Sequence, residues 1–367
     1  MLRASLLALA LALPLAAGPK IGLVTDVGGR GDQSFNDSAL RGLEMWAAGK
    51  KYEASGYVDL SEADRAATIP ACFKELGIEV KPLGVEPVVL VSRAQEDYTP
   101  NIQTLVDEGC ELVIGVGFML ENAIEQAAKE NPKVKFMLID SPILDDKRQV
   151  VLYPNVETYT FMEQEGSFLV GAIAGLVTKS GKVGFVGGME MDLIKKFEAG
   201  YRAGVRTTNP KAEVLIVYTG CFDSSTEGLR AGTFQVQKGA DVIYHAAGVC
   251  GLGVIDAAKD WQSQLAGGKV WAIGVDSDQA HVAPGTVLTS MVKHVDLVVY
   301  RSIEHLVSGK FEGGNMVLGL KDGGLEYAPL PADLPNREAI IATVDALREK
   351  VLEGKIKVPS TREELGK

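Results

Sequence analysis

The feature that most constrains the fold is a regular alternation of short β-branched runs with amphipathic helical runs. The candidate strands are residues 21–25, 111–117, 135–140, 182–187, 213–219, 241–247, 270–276 and 286–292. The candidate helices are residues 101–109, 121–130, 161–178, 192–208, 225–239, 251–265 and 294–308. Strands that alternate with helices in this way predict parallel sheets built from strand–helix–strand units.

The spacing of these units distinguishes one closed barrel from two open sheets. A barrel needs about eight even repeats, whereas the spacing here is uneven and residues 51–100 interrupt it. The 367 residues are enough for two domains of roughly 150 residues each. We therefore predict an α/β protein with two doubly wound parallel-sheet lobes. Ligands bind beyond the carboxyl ends of the strands in such lobes, so the residues at those ends are the first candidates for a site.

The first 18 residues have the pattern of a secretory signal peptide. Arg3 precedes a run of Leu and Ala at residues 6–13, and small residues lead up to Gly18. The apolar run is shorter than the roughly 20 residues that a membrane-spanning helix needs. No cysteine follows this run directly, so we expect an exported, periplasmic or cell-envelope protein without a lipid anchor at this point.

Composition and charge limit the kinds of molecule that this protein is expected to bind. Apolar residues make up 46% of the chain and charged residues 23%, which is typical of a folded globular protein. The formal net charge is −11, whereas nucleic acids and anionic membranes attract basic surfaces. We therefore expect no nucleic-acid partner.

The cysteines are Cys72, Cys110, Cys221 and Cys250. In an oxidising compartment they allow two disulfides in three possible pairings, and the sequence alone does not choose among them. Proximity in sequence favours Cys72–Cys110 and Cys221–Cys250. The histidines lie between residues 245 and 305 without the spacing of a zinc site, so we expect no metal.

The strand-to-helix turn TDVGGRGDQSFNDSAL, at residues 25–40, combines glycines with several polar residues. The glycines suit a tight turn. Ser34 is expected to cap the helix that follows, with Asp37 completing an imperfect capping box. The tripeptide Arg30-Gly31-Asp32 matches a cell-adhesion motif, but a three-residue match arises often by chance, so we assign it no function.

Polar residues or a glycine follow several of the candidate strands. They are Asp26, Asp140, Gly248, Asp276 and Lys293. Each has an alternative interpretation as a turn former or a helix cap. Because they occupy corresponding places at the ends of strands, together they predict a shared site.

Two aromatic residues occupy matching places in the two halves of the chain. Phe35 and Phe197 each lie early in a helix, after a turn that contains paired glycines. Both could pack in the core. If the two lobes close on each other, however, the rings could stack on both faces of a planar ligand, and base–aromatic stacking contributes roughly 1–3 kcal/mol.

Other nucleotide-binding and catalytic motifs have little support. The glycine-rich turn is not GxGxxG, and no GxxxxGK[ST] occurs, which weighs against dinucleotide and P-loop sites. Cys250 lies in a strand-to-helix turn that mimics a nucleophile elbow. A disulfide or a buried thiol is the preferred interpretation of that cysteine.

Several motifs occur together in one order along the chain. They are TDVGGRGDQSFN, DEGCELVIGVGF, FMLIDS, FEAGYRAG, GADVIYHAAG, AIGVDSDQ and LTSMVKHVD. This set resembles the basic membrane protein family, whose members are exported purine-nucleoside-binding proteins of ABC transporters. The resemblance covers residues 20–50 and 78–325, and the segment at 51–73 looks like an insertion.

The resemblance implies the type I periplasmic-binding-protein fold, in which a three-crossing hinge joins two α/β lobes. The N-terminal lobe would comprise residues 19–141 plus 276–320, and the C-terminal lobe residues 142–275 plus 321–367. A nucleoside would bind in the cleft between them.

The resemblance also implies a role for each candidate residue. Asp26 and Asn36 would hydrogen-bond the purine or the ribose. Phe35 would stack on the base, and Asp140 would line the cleft near the first hinge.

For the remaining candidates, the resemblance implies that Phe197 stacks on the opposite face of the base and that Gly248 offers its backbone. Asp276 would accept hydrogen bonds from ribose hydroxyls, and Lys293 would complete the sugar contacts. An ionised carboxylate suits vicinal hydroxyls because charged acceptors form the stronger hydrogen bonds.

The function implied by the resemblance is that of a monomeric solute-binding protein without catalysis or a cofactor. It would deliver a purine nucleoside (guanosine, inosine or adenosine) to an ABC permease. Two alternatives stay open at this point. One is a nucleoside sensor; the other is an exported nucleoside hydrolase that uses Asp26, Asp32 and Asp140 as acid–base or metal-binding groups.

Overall fold

The structure is a computed structural model that describes residues 18–264 and 268–366. Residues 1–17, which hold most of the expected signal peptide, lie outside the described residues. The described residues form two α/β lobes and a small insertion. None of the helices within these ranges is long and apolar enough to cross a membrane.

The elements follow one another as strands and helices in near-regular alternation. The described strands are β1 (Lys20–Val24), β2 (Lys50–Glu53), β3 (Gly56–Asp59), β4 (Glu86–Leu90), β5 (Leu112–Gly115), β6 (Lys135–Ile139), β7 (Val156–Phe161), β8 (Lys182–Gly187), β9 (Glu213–Tyr218), β10 (Val242–Ala246), β11 (Trp271–Asp276), β12 (Val287–Lys293), β13 (Gly314–Leu318) and β14 (Leu325–Tyr327).

The described helices are α1 (Phe35–Leu40), α2 (Glu62–Ala67), α3 (Ala71–Glu75), α4 (Tyr98–Asp107), α5 (Glu121–Glu130), α6 (Glu163–Val177), α7 (Asp192–Thr208), α8 (Ser225–Gln237), α9 (Val249–Gln264), α10 (Val295–Val307) and α11 (Arg337–Leu352). A π-helical segment, Arg41–Ala47, continues α1. Short 3-10 turns occupy Gln95–Asp97, Phe118–Leu120, Leu320–Asp322 and Glu363–Gly366.

Each lobe is built around one six-stranded sheet. The first has the order β13-β7-β6-β5-β1-β4, and its neighbouring strands are parallel. The second has the order β14-β12-β11-β10-β8-β9, in which only β14 is antiparallel to its neighbour. The predicted fold class, two doubly wound α/β lobes, is confirmed. In both sheets the strand order reverses beside the first strand, which opens a crevice beyond the carboxyl ends at that point.

The chain crosses between the lobes three times, after β7, after β12 and after β13. Two of these crossings differ from the predicted lobe boundaries at 141/142 and 275/276. Strand β7 pairs with β6 and so belongs to the first sheet, whereas β12 pairs with β11 and so belongs to the second. The sequence of β7, VETYTF, lacks the continuous apolar run of the other buried strands, which explains why the first boundary was predicted one strand too early.

The insertion, residues 50–75, forms the hairpin β2–β3 followed by α2 and α3. The ring centroid of Phe73 lies 5.7 Å from that of Trp46 in an edge-to-face arrangement. Trp46 donates a hydrogen bond from Nε1 to Oγ1 of Thr68 at 2.9 Å. These contacts fasten the insertion to the first lobe.

None of the cysteines is disulfide-bonded in the described residues. Cys72 lies on α3 of the insertion, whereas Cys110 is buried in a different core cluster of the first lobe, so the predicted Cys72–Cys110 pair is not formed. The Sγ atoms of Cys221 and Cys250 lie 3.6 Å apart. The second predicted pair is therefore a pair of neighbouring thiols.

Asp32, and not Ser34 as predicted, caps α1. Its Oδ1 accepts hydrogen bonds from the backbone N–H groups of Ser34 and Asp37, and its Oδ2 accepts one from that of Asn36 at 2.8 Å. The hydroxyl of Ser34 instead donates to Oδ2 of Asp276 in the second lobe at 2.8 Å. Asp32 is 1% exposed, so the tripeptide that it ends is not presented to an adhesion receptor.

Helices α6 and α7 pack with their backbones close together because glycines of the motif FEAGYRAG face α6. A Cβ atom at Gly200 would clash with the carbonyl oxygen of Gln164, and one at Gly204 with that of Phe168. A backbone carbonyl cannot move aside as a flexible side chain can. This contact therefore fixes where α7 presents Phe197.

Candidate ligand-binding site

A cavity lies between the lobes, beyond the carboxyl ends of the strands. Every residue that the sequence predicted for the site lines this cavity: Asp26, Phe35, Asn36, Asp140, Phe197, Gly248, Asp276 and Lys293. The two sheets thus bring their strand ends together as expected.

The carboxylate of Asp26, just after β1, is held by its neighbours in the turn. Its Oδ1 accepts hydrogen bonds from the N–H of Gly28 at 2.8 Å and from Nδ2 of Asn36 at 2.7 Å. Burial raises the pKa of Asp26 to about 6, although these hydrogen bonds oppose the shift. Both bonds use Oδ1, which leaves Oδ2 on the side of Gly117 to accept from a ligand.

Asn36 is largely occupied by the protein. Its Nδ2 donates to Asp26 and to Oδ2 of Asp32 at 2.9 Å, and its Oδ1 accepts from the backbone N–H of Asp26 at 3.1 Å. An amide has two N–H donors, so both are used here. Asn36 therefore orients Asp26 at the edge of the cavity.

Asp140 and Asp276 occupy equivalent positions in the two lobes, at the ends of β6 and β11. Both have left-handed backbone conformations, with φ of 69° and 63°. Such conformations are costly for residues other than glycine and are concentrated at functional sites. Oδ1 of each aspartate is buried without a hydrogen-bond partner among the described residues, so each offers an acceptor to a ligand.

Lys293, the last residue of β12, joins the two lobes electrostatically. Its Nζ lies 2.7 Å from Oδ2 of Asp140 and 3.6 Å from Oδ1 of Asp276. Burial lowers the pKa of Lys293, but the two carboxylates outweigh burial and raise that pKa above its ordinary value. The lysine is therefore charged and already paired.

The two predicted aromatic residues flank this lysine from opposite lobes. Nζ of Lys293 lies 4.7 Å from the ring centroid of Phe35 and 5.6 Å from that of Phe197. Phe35 is half-buried, whereas Phe197 is 3% exposed. Both rings thus lie at the cavity, one on each lobe.

Comparison with known proteins identifies the family. The sequence model described as "ABC transporter substrate-binding protein PnrA-like" matches residues 20–362. The chain belongs to this family. Relatives and solved structures agree with this assignment.

Two relatives match this substrate-binding protein over most of its length. The ABC transporter nucleoside-binding protein BmpA of Lactococcus lactis is 34% identical over 352 residues, which is 93% of this chain and 89% of that protein. Basic membrane protein A of Borreliella burgdorferi is 32% identical over 348 residues, which is 94% of this chain and 89% of that protein. The resemblance inferred from the motifs is confirmed.

A solved structure matches the whole architecture of this substrate-binding protein. An ABC transporter solute-binding protein from Aeropyrum pernix K1 aligns with a TM-score of 0.72 and 28% identity, covering 95% of each chain. Two lobes with parallel sheets, joined by three crossings, are therefore shared with a solute-binding protein of known structure.

Two further aromatic residues of the substrate-binding protein line the cavity, and the sequence analysis missed both. Phe118 from the first lobe and Phe222 from the second meet edge-to-face across the cavity, with ring centroids 6.2 Å apart. Each follows closely on a glycine with positive φ after a strand, Gly117 and Gly220. An aromatic residue one or two positions after such a glycine is the signal that could have revealed them.

The lobes also touch through hydrogen bonds near the cavity. Ser34 donates to Asp276, and Nε2 of Gln279 donates to the carbonyl oxygen of Gln33 at 3.2 Å. In this structure the substrate-binding protein is therefore closed around its cavity.

His245 is not a catalytic base for Cys250, the candidate nucleophile. Nε2 of His245 lies 3.0 Å from Oε1 of Gln279, and burial lowers the pKa of the imidazole to about 4. Sγ of Cys250 donates to the carbonyl oxygen of Cys221, and burial raises the pKa of that thiol to about 11. A buried, protonated thiol is chemically unreactive, which is the behaviour expected of a packing residue.

Proposed function

We propose that this protein captures a purine nucleoside in the cavity between its lobes and delivers it to an ABC permease. The observation that carries the proposal is a pair of buried carboxylate oxygens without a hydrogen bond from the described residues, Oδ1 of Asp140 and Oδ1 of Asp276, at a cavity lined by phenylalanine rings from both lobes. Family membership and the name of the Lactococcus lactis relative support the class of ligand.

The polar groups of the cavity suit a ligand that donates hydrogen bonds. Asp26, Asp140 and Asp276 provide acceptors, and buried acceptors without partners are costly unless a ligand satisfies them. In our proposal the vicinal hydroxyls of a ribose donate to Asp140 and Asp276. An N–H group of the base donates to Asp26.

The aromatic groups suit the planar base. In our proposal Phe35 and Phe197 stack on its two faces, with Phe118 and Phe222 closing the cavity beyond it. Gly248 precedes α9 with φ of 55°, and its backbone lies at the cavity where a Cβ atom would press on the carbonyl oxygen of Phe222. Lys293 holds the two acidic acceptors in place beside the sugar.

The charges of the cavity disfavour a nucleotide. The cation Lys293 is already paired with two carboxylates, and Asp26 adds further negative charge when it is ionised. A phosphate would be buried beside like charges, which costs several kcal/mol at an effective dielectric of about 20. We therefore propose a neutral nucleoside as the ligand.

The placement of the acidic residues supports binding over hydrolysis. The hydrolase alternative needs Asp26, Asp32 and Asp140 to act on one substrate. Asp32, however, accepts backbone hydrogen bonds at the start of α1, and Asp140 is paired with Lys293. Our proposal therefore includes no catalytic step. It also holds that the protein is exported and acts as a monomeric receptor.

Calorimetric titration of the purified chain tests this function. We expect guanosine, inosine or adenosine to bind with micromolar or tighter affinity. Uridine and the matching nucleoside monophosphates should bind at least about tenfold more weakly, because they offer a smaller ring or an added negative charge. Failure of all three purine nucleosides to bind, or preference for the monophosphates, would contradict the proposal.

A further inference from the structure

A second cluster of polar side chains lies outside the nucleoside cavity. Cys72 of α3, His294 after β12 and Glu326 of β14 each place one potential ligand atom within 4.8 Å of those of the other two. Nε2 of His294 lies 3.0 Å from Oε1 of Glu326. The residues come from three distant segments, so no spacing in the sequence could reveal the cluster.

The three donors match the coordination chemistry of zinc. A thiolate, an imidazole and a carboxylate are all common zinc ligands, and bond lengths of about 2.0–2.3 Å place tetrahedral donors about 3.5 Å apart. The three donor atoms lie within 4.8 Å of one another, and the His294–Glu326 pair is 3.0 Å apart, so small shifts of the side chains reach that spacing. A thiolate ligand favours a transition metal over Mg²⁺ or Ca²⁺, which prefer oxygen ligands.

A second carboxylate orients the histidine as is usual at zinc sites. Nδ1 of His294 lies 3.3 Å from Oδ1 of Asp296, and Asp296 is in turn held by Arg41, whose Nε donates to it at 2.8 Å. Metal-binding histidines commonly contact a carboxylate through the nitrogen that does not bind the metal, which fixes the ring. Nε2 is therefore left facing Cys72 and Glu326.

The cluster is rigid on one side and open on the other. His294 is 2% exposed, and its ring packs edge-to-face against that of Phe73 with centroids 4.8 Å apart. Cys72, His294 and Glu326 line an open groove between the insertion and the second lobe. An ion can enter by this groove, and water from it can supply the fourth ligand of an open site.

We propose that Cys72, His294 and Glu326 bind one Zn²⁺ ion, with Asp296 positioning His294. The ion would join the insertion to β14 of the second lobe, beside the crossing that follows β12. Binding takes the thiolate of Cys72 and the neutral imidazole of His294, so it releases their protons to solvent.

The test is calorimetric titration of the chelator-treated chain with Zn²⁺, together with Co²⁺ as a spectroscopic probe. We expect one Zn²⁺ per chain and a Co²⁺ complex with thiolate-to-metal charge-transfer absorption. Cys72→Ser should weaken Zn²⁺ binding by at least roughly tenfold and abolish that absorption, and Glu326→Gln should weaken binding in the same direction. Cys110→Ser, a cysteine in another core cluster, is the matched control and should bind as the unaltered chain does.

A measurement on the unaltered chain keeps the proposal testable if a variant fails to fold. Thiol alkylation followed by peptide mass spectrometry should show Cys72 protected by Zn²⁺, with no protection by Mg²⁺. The proposal is overturned if the unaltered chain does not bind Zn²⁺, if its Co²⁺ complex lacks the thiolate absorption, or if Cys72→Ser binds Zn²⁺ as tightly as the unaltered chain.

Discussion

The ring of Phe35 is half-buried at the cavity and stands on the first lobe opposite Phe197. If it stacks on a base, Phe35→Ala should weaken nucleoside binding by about tenfold or more, since such stacking contributes roughly 1–3 kcal/mol. The melting temperature should change little, because the ring is not fully enclosed by protein. Calorimetry and thermal unfolding measure the two effects.

The matched control for that substitution is Phe234→Ala on α8, where the ring is 49% exposed and does not line the cavity. It should leave affinity unchanged. If Phe35→Ala also leaves affinity unchanged while lowering stability, Phe35 is a packing residue and does not contact the ligand.

Asp26 should make nucleoside binding depend on pH. Burial raises its pKa to about 6, and only the ionised carboxylate is a full acceptor, so acidification through that pKa removes the contact. At about pH 5 roughly one tenth of Asp26 remains ionised, and affinity should be about tenfold lower than at about pH 7.5. Calorimetry at the two pH values measures this change.

The control for the pH effect is Asp26→Asn. This variant should bind weakly at both pH values and should lose the dependence between them. A pH dependence that persists in Asp26→Asn would assign the titration to another group.

Among the elements, the contact between α6 and α7 sets the position of one aromatic residue of the site. Gly200→Ala would place a Cβ atom against the carbonyl oxygen of Gln164, so the helices must separate. Overpacking of this kind costs about 1–3 kcal/mol of unfolding free energy, and the shift of α7 should also weaken nucleoside binding. Urea unfolding and calorimetry measure the two losses.

Thr207→Ala, on the exposed face of α7, provides the comparison for Gly200→Ala. It should change the free energy of unfolding by less than about 0.5 kcal/mol. If Gly200→Ala is equally harmless, the close packing of α6 against α7 is not what positions Phe197.

The elements also show how much of the fold follows from sequence. Strand β8 and helix α7 were predicted with their observed bounds, because a buried parallel strand is continuously apolar and an amphipathic helix has a clear period. Strand β4 was missed, since Pro87 and the polar Glu86 obscure its pattern. Strand β7 was missed for its polar threonines, and this omission displaced the predicted boundary between the lobes.

The cap of α1 shows a similar limit. Both Ser34 and Asp32 are good capping residues by composition, and the sequence favoured Ser34. Only the second lobe distinguishes them, because Asp276 accepts the hydroxyl hydrogen bond of Ser34 and leaves Asp32 to bind the backbone N–H groups. Local pattern cannot reveal a partner that is so distant in sequence.

At the scale of the molecule, the sequence predicted the residues that line the cavity more accurately than it predicted the boundaries between the lobes. Strand ends of a doubly wound sheet converge whatever the loop lengths, so Asp26, Asp140 and Asp276 could be placed together in advance. The contact of Phe118 with Phe222 and the cluster around His294 depend on how two lobes and an insertion meet. A pattern within one segment of the sequence does not predict contacts between distant segments.

The closed arrangement of the lobes links the site to the proposed transport. Contacts such as that of Ser34 with Asp276 join the lobes beside the cavity, and the residues that would bind the ligand come from both lobes. A ligand that contacts both lobes stabilises their closed arrangement by its difference in affinity for the two states. A permease could thereby distinguish the loaded protein from the empty one.

The central claim is that a purine nucleoside binds between Phe35 and Phe197 with its sugar against Asp140 and Asp276. A crystal structure of the chain grown with whichever of guanosine, inosine and adenosine binds most tightly tests it directly. We expect the purine ring between the two phenylalanine rings and ribose hydroxyls within hydrogen-bonding distance of the two aspartates. A nucleoside bound elsewhere, or a cavity that retains a ligand of another chemical class, would contradict the account.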